Sequence, residues 1–288
     1  MGRLDCMGSS TLRLARMILY LVWTVGLMPV QGLGLLLRAP WVDTFPRFYH
    51  RCCCRILGMR IRRIGQPIAT RPVLYVSNHV SYIDITVLGA VIAGSFIAKT
   101  EVAGWPLFGW LAKLQRSVFI DRQVRSMTAQ RNAIADRLAA SDALILFPEG
   151  TSGDGNRLLP FKSALFGVVE GLAESIPVQP VSVAYTRLDG LPIGRGLRPF
   201  FAWYGDMTMA PHLWTLLGLG IIEVVVEFHP PSSLAECGSR KQLAGYCQER
   251  ISRGVASALS GRTPAVAEAS GGRERRTLAN DTAQPATG

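Results

Sequence analysis

Acidic side chains are scarce where this chain begins. Residues 1–71 hold eleven arginines against only Asp5 and Asp43, so they carry +9 of the formal net charge of +11. Charge of either sign is missing from Met17 to Leu37, a run of 21 residues. A basic excess flanking an apolar run points to an anionic bilayer surface as partner. Nucleic acid is not the expected partner, because no surface interleaves basic and aromatic residues and no zinc spacing occurs. Cysteine is sparse and badly spaced for cross-links: Cys6, Cys52, Cys53, Cys54, Cys237 and Cys247, three of them adjacent. That pattern suits neither a disulfide framework nor a metal site, so reduced thiols in a cytosol-facing protein are expected. No Gly-x-Ser-x-Gly elbow is present, which leaves a hydrolase little basis. Internal repeats are also missing. No metal or cofactor is expected.

What is present is apolar. Hydrophobic residues make up 49% of 288, and the mean hydropathy is +0.23. Those values are high for a soluble enzyme. Met17 to Leu37 is long enough to cross a bilayer at 1.5 Å per residue. Pro29, Gly26, Gly32 and Gly34 interrupt it, so a kinked or re-entrant helix is an equal expectation. Arginines on both sides leave the orientation open. Phe45 to Leu57 reads as a basic interfacial helix with Phe48, Tyr49, Cys52, Cys53 and Ile56 on one side. Three regions are expected: membrane-associated helices over 1–58, an α/β domain with a mixed, largely covered sheet over 59–260, and a disordered tail over 261–288.

Within the middle region, strands and helices alternate. The central stretch is Val73 to Asp84. Its apolar start reads as a buried strand ending at Ser77-Asn78, with His79 in the following turn. Ser81 and Asp84 have the spacing of a capping box, so a helix is expected from Tyr82 through Leu88. Five residues rotate a helix by about 500°, which would hold His79 and Asp84 roughly 140° apart on one helix. With His79 in the turn and Asp84 in the first helical turn, the two can meet. A carboxylate on one ring nitrogen would then make the other a general base. The plainer alternative is that Asp84 only caps the helix and His79 is an ordinary loop residue.

Two further polar groups follow strands. Asp121-Arg122 ends the strand Ser117 to Ile120, and a guanidinium suits a phosphate. Phe147-Pro148-Glu149-Gly150-Thr151-Ser152 ends the strand Ala143 to Phe147, with glycines that permit close backbone approach and a possible anion-binding nest. Three polar features at strand ends would face one crevice if the strands are parallel. Further strands are expected at Arg60–Ile64, Phe96–Ala98, Val178–Tyr185, Phe200–Tyr204 and Ile221–Phe228. Further helices are expected at 126–140, 163–172, near 212–219 and at 239–259.

Four blocks, in order, resemble the glycerolipid acyltransferase family: Asn78-His79-x-x-x-x-Asp84, Val118 to Arg122, Phe147 to Ser152, and Val178-Gln179-Pro180-Val181. Phe161-Lys162 fits the same pattern. Ser152 departs from it, since many members carry arginine there. The resemblance implies transfer of an acyl group from acyl-CoA or acyl carrier protein to the hydroxyl of a lysophospholipid. In the leading form this is the sn-2 hydroxyl of 1-acyl-glycerol-3-phosphate, giving phosphatidic acid at the cytoplasmic face of an inner membrane. His79 would be the base and Asp84 its orienter. Arg122 would hold the phosphate, helped by the Gly150 amide and the Thr151 hydroxyl. Glu149 would bind a glycerol hydroxyl or brace Arg122, and Lys99 and Lys162 are further candidates for anionic groups. One alternative acceptor is lyso-ornithine lipid, which has no phosphate. A membrane scaffold with a dead site is the alternative of another class.

Overall fold

The computed structural model describes residues 8–120, 127–170 and 176–262. The chain opens with α1 (Ser10–Leu36) and α2 (Phe45–Ile56), followed by β1 (Met59–Ile64), β2 (Val73–Ser77), α3 (Ile83–Val91) and β3 (Ser95–Lys99). Next come α4 (Phe108–Leu114), β4 (Val118–Ile120), α5 (Met127–Ala139), β5 (Ala143–Leu146), β6 (Val178–Leu188) and β7 (Leu191–Pro192). The described part ends with α6 (Met209–Leu217), β8 (Ile222–Phe228), α7 (Leu234–Cys237) and α8 (Arg240–Leu259).

One sheet organises the molecule, in the order β1-β8-β6-β2-β5-β3-β4, with β7 paired to β6. From β6 to β4 the neighbours are parallel, whereas β8 runs antiparallel to β6 and parallel to β1. The sheet is therefore mixed, as expected. Period-two alternation sends Val73 and Tyr75 of β2 to one core and Leu74 and Val76 to the other. A strand covered on both faces must be apolar throughout, and all five residues of β2 are buried. On the first face α3 contributes Ile83, Val87 and Leu88. On the second, α5 contributes Ile134 and Leu138, and α8 contributes Leu243, Cys247 and Ile251 at helical spacing. Parallel order brings the carboxyl ends of β2, β3, β4 and β5 to one edge.

Several expectations are corrected. α1 is one unbroken helix with Pro29 inside it, so the re-entrant break does not occur. The chain reverses only after Leu36, in the loop over 37–44. α2 forms over the expected stretch, but the five residues expected on one side do not share one environment: Cys53 is buried against the body with His50 and Cys54, and Phe48 is half exposed. Gly89 of α3 permits that packing, since a Cβ there would stand 2.4 Å from the His50 ring. Residues 163–169 are a 3-10 segment rather than an α-helix, and the stretch expected as a strand at Phe200–Tyr204 leaves the 3-10 segment Arg198–Phe200 as irregular chain. The expected start of α5 at Ser126, the end of the 163–172 helix and the tail beyond Arg262 lie outside the described residues.

Candidate active site

Asp84 is fully buried and has four hydrogen-bond donors around it. Its Oδ2 accepts from the Val80 amide at 2.6 Å, the Ser81 amide at 2.8 Å and His79 Nδ1 at 2.9 Å. Its Oδ1 accepts from the Tyr185 hydroxyl at 2.7 Å. Half of the expected capping box therefore forms: the carboxylate takes the Ser81 N–H, but the Ser81 hydroxyl has no partner among the described residues. His79 sits in the turn after β2 and Asp84 in the first turn of α3, which is the arrangement that lets them meet. With Nδ1 held by a carboxylate, Nε2 is the nitrogen left to take a proton. The His79 ring stacks on Phe147 at 4.1 Å between centroids and keeps 19% of its side chain exposed.

Three more contacts hold the turn. The Asn78 side-chain amide donates to the Val183 carbonyl at 2.9 Å and accepts from the Val183 amide at 2.8 Å, continuing the β2–β6 ladder in side-chain form. Glu149 Oε1 accepts the His79 backbone N–H at 2.8 Å, and Oε2 accepts that of Leu159 at 2.9 Å. The Gly153 amide donates to the His79 carbonyl at 2.9 Å. Glu149 thus ties three loop segments together through backbone amides. Burial pushes its carboxyl up to about 7, against the two amides that favour the charged form.

The candidate residues fall into two groups. His79, Lys99, Gly150, Thr151 and Ser152 line one cavity of about 320 Å³. Glu149 is buried behind His79 and does not line it. Lys162 is exposed and also stands apart from it, with its backbone N–H on the Pro148 carbonyl. The Gly150 amide is directed to the Phe147 carbonyl at 3.1 Å, in a turn that Gly150 enters with φ +70°. With Gly153 also engaged, these amides close loops rather than form an open nest. Ser152 is buried and donates to the Trp203 carbonyl. Asp121 and Arg122 lie outside the described residues. Among the described residues no cluster of metal-ligating side chains occurs.

The cavity is mostly apolar, and its walls come from distant parts of the chain. Tyr20 and Leu27 of α1, Tyr49 of α2, Phe108 and Leu111 of α4 and Leu213 of α6 all face it. The N-terminal helices therefore share a cavity with His79. Tyr185 has a signal that could have been read: Val181, Val183 and Tyr185 share one face of a strand, so a phenol ends an apolar row. Burial, and then the Asp84 charge, push that phenol well above its ordinary value, so it remains a donor. A second histidine cluster, His229 with Ser182 at 3.0 Å and Glu227 at 3.8 Å, is packed beneath Gly254 of α8. A Cβ at Gly254 would stand 2.4 Å from Ser182 Oγ, so this group is closed off by packing.

Two outcomes follow from this geometry. Tyr185→Phe removes one donor to a buried carboxylate, a charge-assisted bond of about 1.5–3 kcal/mol. Turnover should fall roughly tenfold with KM little changed, read by steady-state kinetics beside a melting curve. For Glu149, only the unfolded chain ionises between the ordinary value of 4.5 and about 7. Stability should therefore fall as pH rises through that window, by on the order of 3 kcal/mol. Urea titrations at pH 5 and 8 should show that decline in the parent and not in Glu149→Gln. The variant should be the less stable protein at pH 5, because its amide has one oxygen for two backbone donors.

Known proteins share this sequence and architecture. Residues 60–184 match the family described as Acyltransferase. A lyso-ornithine lipid O-acyltransferase from Brucella abortus (strain 2308) is 46% identical over 246 residues, 83% of this chain and 92% of that protein. A 1-acyl-sn-glycerol-3-phosphate acyltransferase from Neisseria gonorrhoeae is 32% identical over 196 residues, 67% of this chain and 74% of that protein. The crystal structure of the 1-acyl-sn-glycerophosphate acyltransferase PlsC from Thermotoga maritima aligns with a TM-score of 0.63 at 18% identity, covering 86% of this chain and 95% of that one. That likeness concerns the fold. The sequence matches show more: the chain belongs to the acyltransferase family that includes lyso-ornithine lipid and 1-acyl-sn-glycerol-3-phosphate acyltransferases.

Proposed function

We propose that the protein is a lyso-ornithine lipid O-acyltransferase. The observation that carries this is the higher identity, over more of the chain, to the relative named for that acceptor. The leading expectation from the sequence was 1-acyl-glycerol-3-phosphate, and it becomes the second reading. Ser152 supports the change, since its hydroxyl serves the Trp203 carbonyl where many members carry a cation. An acceptor without a phosphate has less need of a cation there.

His79 Nε2 takes the proton of the acceptor hydroxyl as its oxygen attacks the thioester carbonyl of acyl-CoA or acyl carrier protein. The new C–O bond forms, the C–S bond breaks, and the imidazolium returns its proton to the departing thiolate. Asp84 holds the ring and balances the imidazolium charge, and the cavity receives an acyl chain. A positioned base contributes about 10²–10⁴ in rate. The test offers lyso-ornithine lipid and lysophosphatidate together to the purified protein in detergent, with either donor. Transfer should go mainly to lyso-ornithine lipid and fall by about 10²–10⁴ in His79→Ala. Preference for lysophosphatidate would overturn the acceptor, and full activity in His79→Ala would overturn the base.

The membrane reading follows from α1. It is long and apolar enough to cross a bilayer, yet it is docked along its length. At one end Arg16 donates to the carbonyls of Leu217, Leu219 and Gly220. At the other, about 22 Å along the helix, Gln31 donates to the Leu114 carbonyl at 3.1 Å. A helix fixed to the body at both ends would carry the body with it across a bilayer. Arg13, Thr24, Gln31 and Gly34 face inward, while Leu14, Ile18, Val22, Val25 and Leu33 are exposed. Trp110, Trp214 and Phe48 are exposed as well, as suits an interface. The helix thus lies in one leaflet, with exposed arginines such as Arg38 and Arg55 at anionic headgroups. In a cell with two membranes this would be the cytoplasmic leaflet of the inner one. Ile18→Glu with Val22→Glu should abolish flotation with anionic vesicles and leave transfer in micelles within about threefold, since neither side chain lines the cavity. Undiminished flotation would contradict this placement.

A further inference from the structure

The cavity beside His79 has a polar floor. Its mouth is at the carboxyl edge of the sheet, where His79, Lys99 and Thr151 line it. Its other pole is at the amino edge. There Gln115, which also lines it, donates through Nε2 to the carbonyl of Gly94 at 3.3 Å, and Gly94 directly precedes β3. Lys99 ends β3, so mouth and floor are separated by the length of that strand, about 13 Å.

Three side chains make the floor, and their partners fix which atoms are acceptors. Gln115 has its nitrogen on Gly94, so its oxygen faces His50 Nε2, at 2.7 Å. That nitrogen of His50 must then carry the proton, which leaves Nδ1 as an acceptor. Gln31 donates through Nε2 to the Val42 carbonyl at 3.0 Å and the Leu114 carbonyl at 3.1 Å, which leaves its oxygen as an acceptor. Leu114 and Gln115 are adjacent, so Gln31 and His50 meet the same end of α4. His50 is 6% exposed and Gln31 4%. His50 Nδ1 and Gln31 Oε1 have no donor among the described residues and no surface open to a water-sized group, so a hydroxyl reaches them by displacing the side chains that cover them. Burial lowers His50 to about 4, so the ring is neutral and brings no second donor of its own. A buried acceptor left without a donor is costly, and a methyl end of a chain cannot satisfy it.

We propose that this floor is a subsite for a hydroxyl group carried on the acyl chain that occupies the cavity, with Gln31 and His50 as its acceptors. The inference rests on the acyl-transfer reading above. The chemistry is that of an alkyl chain with one O–H at a fixed distance from the reacting carbon. Both the donor and the acceptor lipid own a chain that could enter, so the test has an arm for each.

In the first arm, acyl-CoA donors of one length, unsubstituted or with a hydroxyl at successive carbons, compete for lyso-ornithine lipid. In the second, the donor is plain and the lysolipid chain carries the additional hydroxyl. The wild-type full chain in micelles should favour one hydroxyl position, in one arm, by roughly tenfold in kcat/KM over the plain chain. That arm identifies the chain in the cavity. Gln31→Met, close in shape but without the acceptor, should lose most of that ratio, and a melting curve checks that it is folded. Neutral or disfavoured hydroxyls at every position in both arms would overturn the proposal. So would a preference that survives unchanged in both Gln31→Met and His50→Leu. If plain and hydroxylated donors both react without preference, the subsite alone fails. If no donor reacts with any lysolipid, the acyl-transfer reading fails and this inference falls with it.

Discussion

A single buried carboxylate holds the site together. Asp84 has no contact with solvent, and its charge is balanced by four donors drawn from the turn, the helix start and a strand on the other side of β2. Leaving such a group short of donors costs about 1–3 kcal/mol or more. The turn therefore has one low-energy shape, in which the His79 ring is pinned at Nδ1 and stacked on Phe147. Asn78 and Glu149 support the same turn from below, one by continuing the sheet ladder and the other by holding the His79 backbone. Positioning of the His79 ring is thus a property of the whole strand edge.

The second constraint is where His79 opens. His79 faces a cavity whose walls are shared between the α/β body and two N-terminal helices. α1 presents Arg13, Thr24, Gln31 and Gly34 to the body and Tyr20 and Leu27 to the cavity, while aliphatic residues such as Ile18 and Val22 point outward. On the proposed function, that division gives one element two uses: a wall for an acyl chain and a surface for lipid. A lysolipid in the leaflet would then reach His79 without crossing water with its chain exposed.

Much of this was legible in the residues. The His79–Asp84 pair could be read because its geometry is local: a turn, a cap and five residues of spacing. The strands could be read because a doubly covered parallel sheet demands unbroken apolar runs such as Val73 to Val76. Tyr185 could not be assigned a partner, since it lies 101 residues from Asp84 and reaches it only through the β2–β6 register. The contacts of Glu149 are hidden for the same reason: a carboxylate beside a glycine-rich loop suggests ligand binding, and only the fold shows that its oxygens meet the His79 and Leu159 amides. In α2, Phe48 and Cys53 are expected on one side of an interfacial helix, yet Cys53 is buried against the body and Phe48 is half exposed, a division that only the packing of α2 on α3 decides. The floor of Gln31, His50 and Gln115 joins three elements and leaves no trace in any one of them.

The central claim is that Asp84 sets the tautomer of His79. The direct measurement is ¹⁵N NMR of ring-labelled His79 in micelles at pH 8, assigned by comparison with His79→Ala. The parent protein should show a protonated Nδ1 and an unprotonated Nε2, and Asp84→Asn should lose that state. A parent signal with the proton on Nε2 would contradict it, because the nitrogen facing the cavity could then not accept the hydroxyl proton.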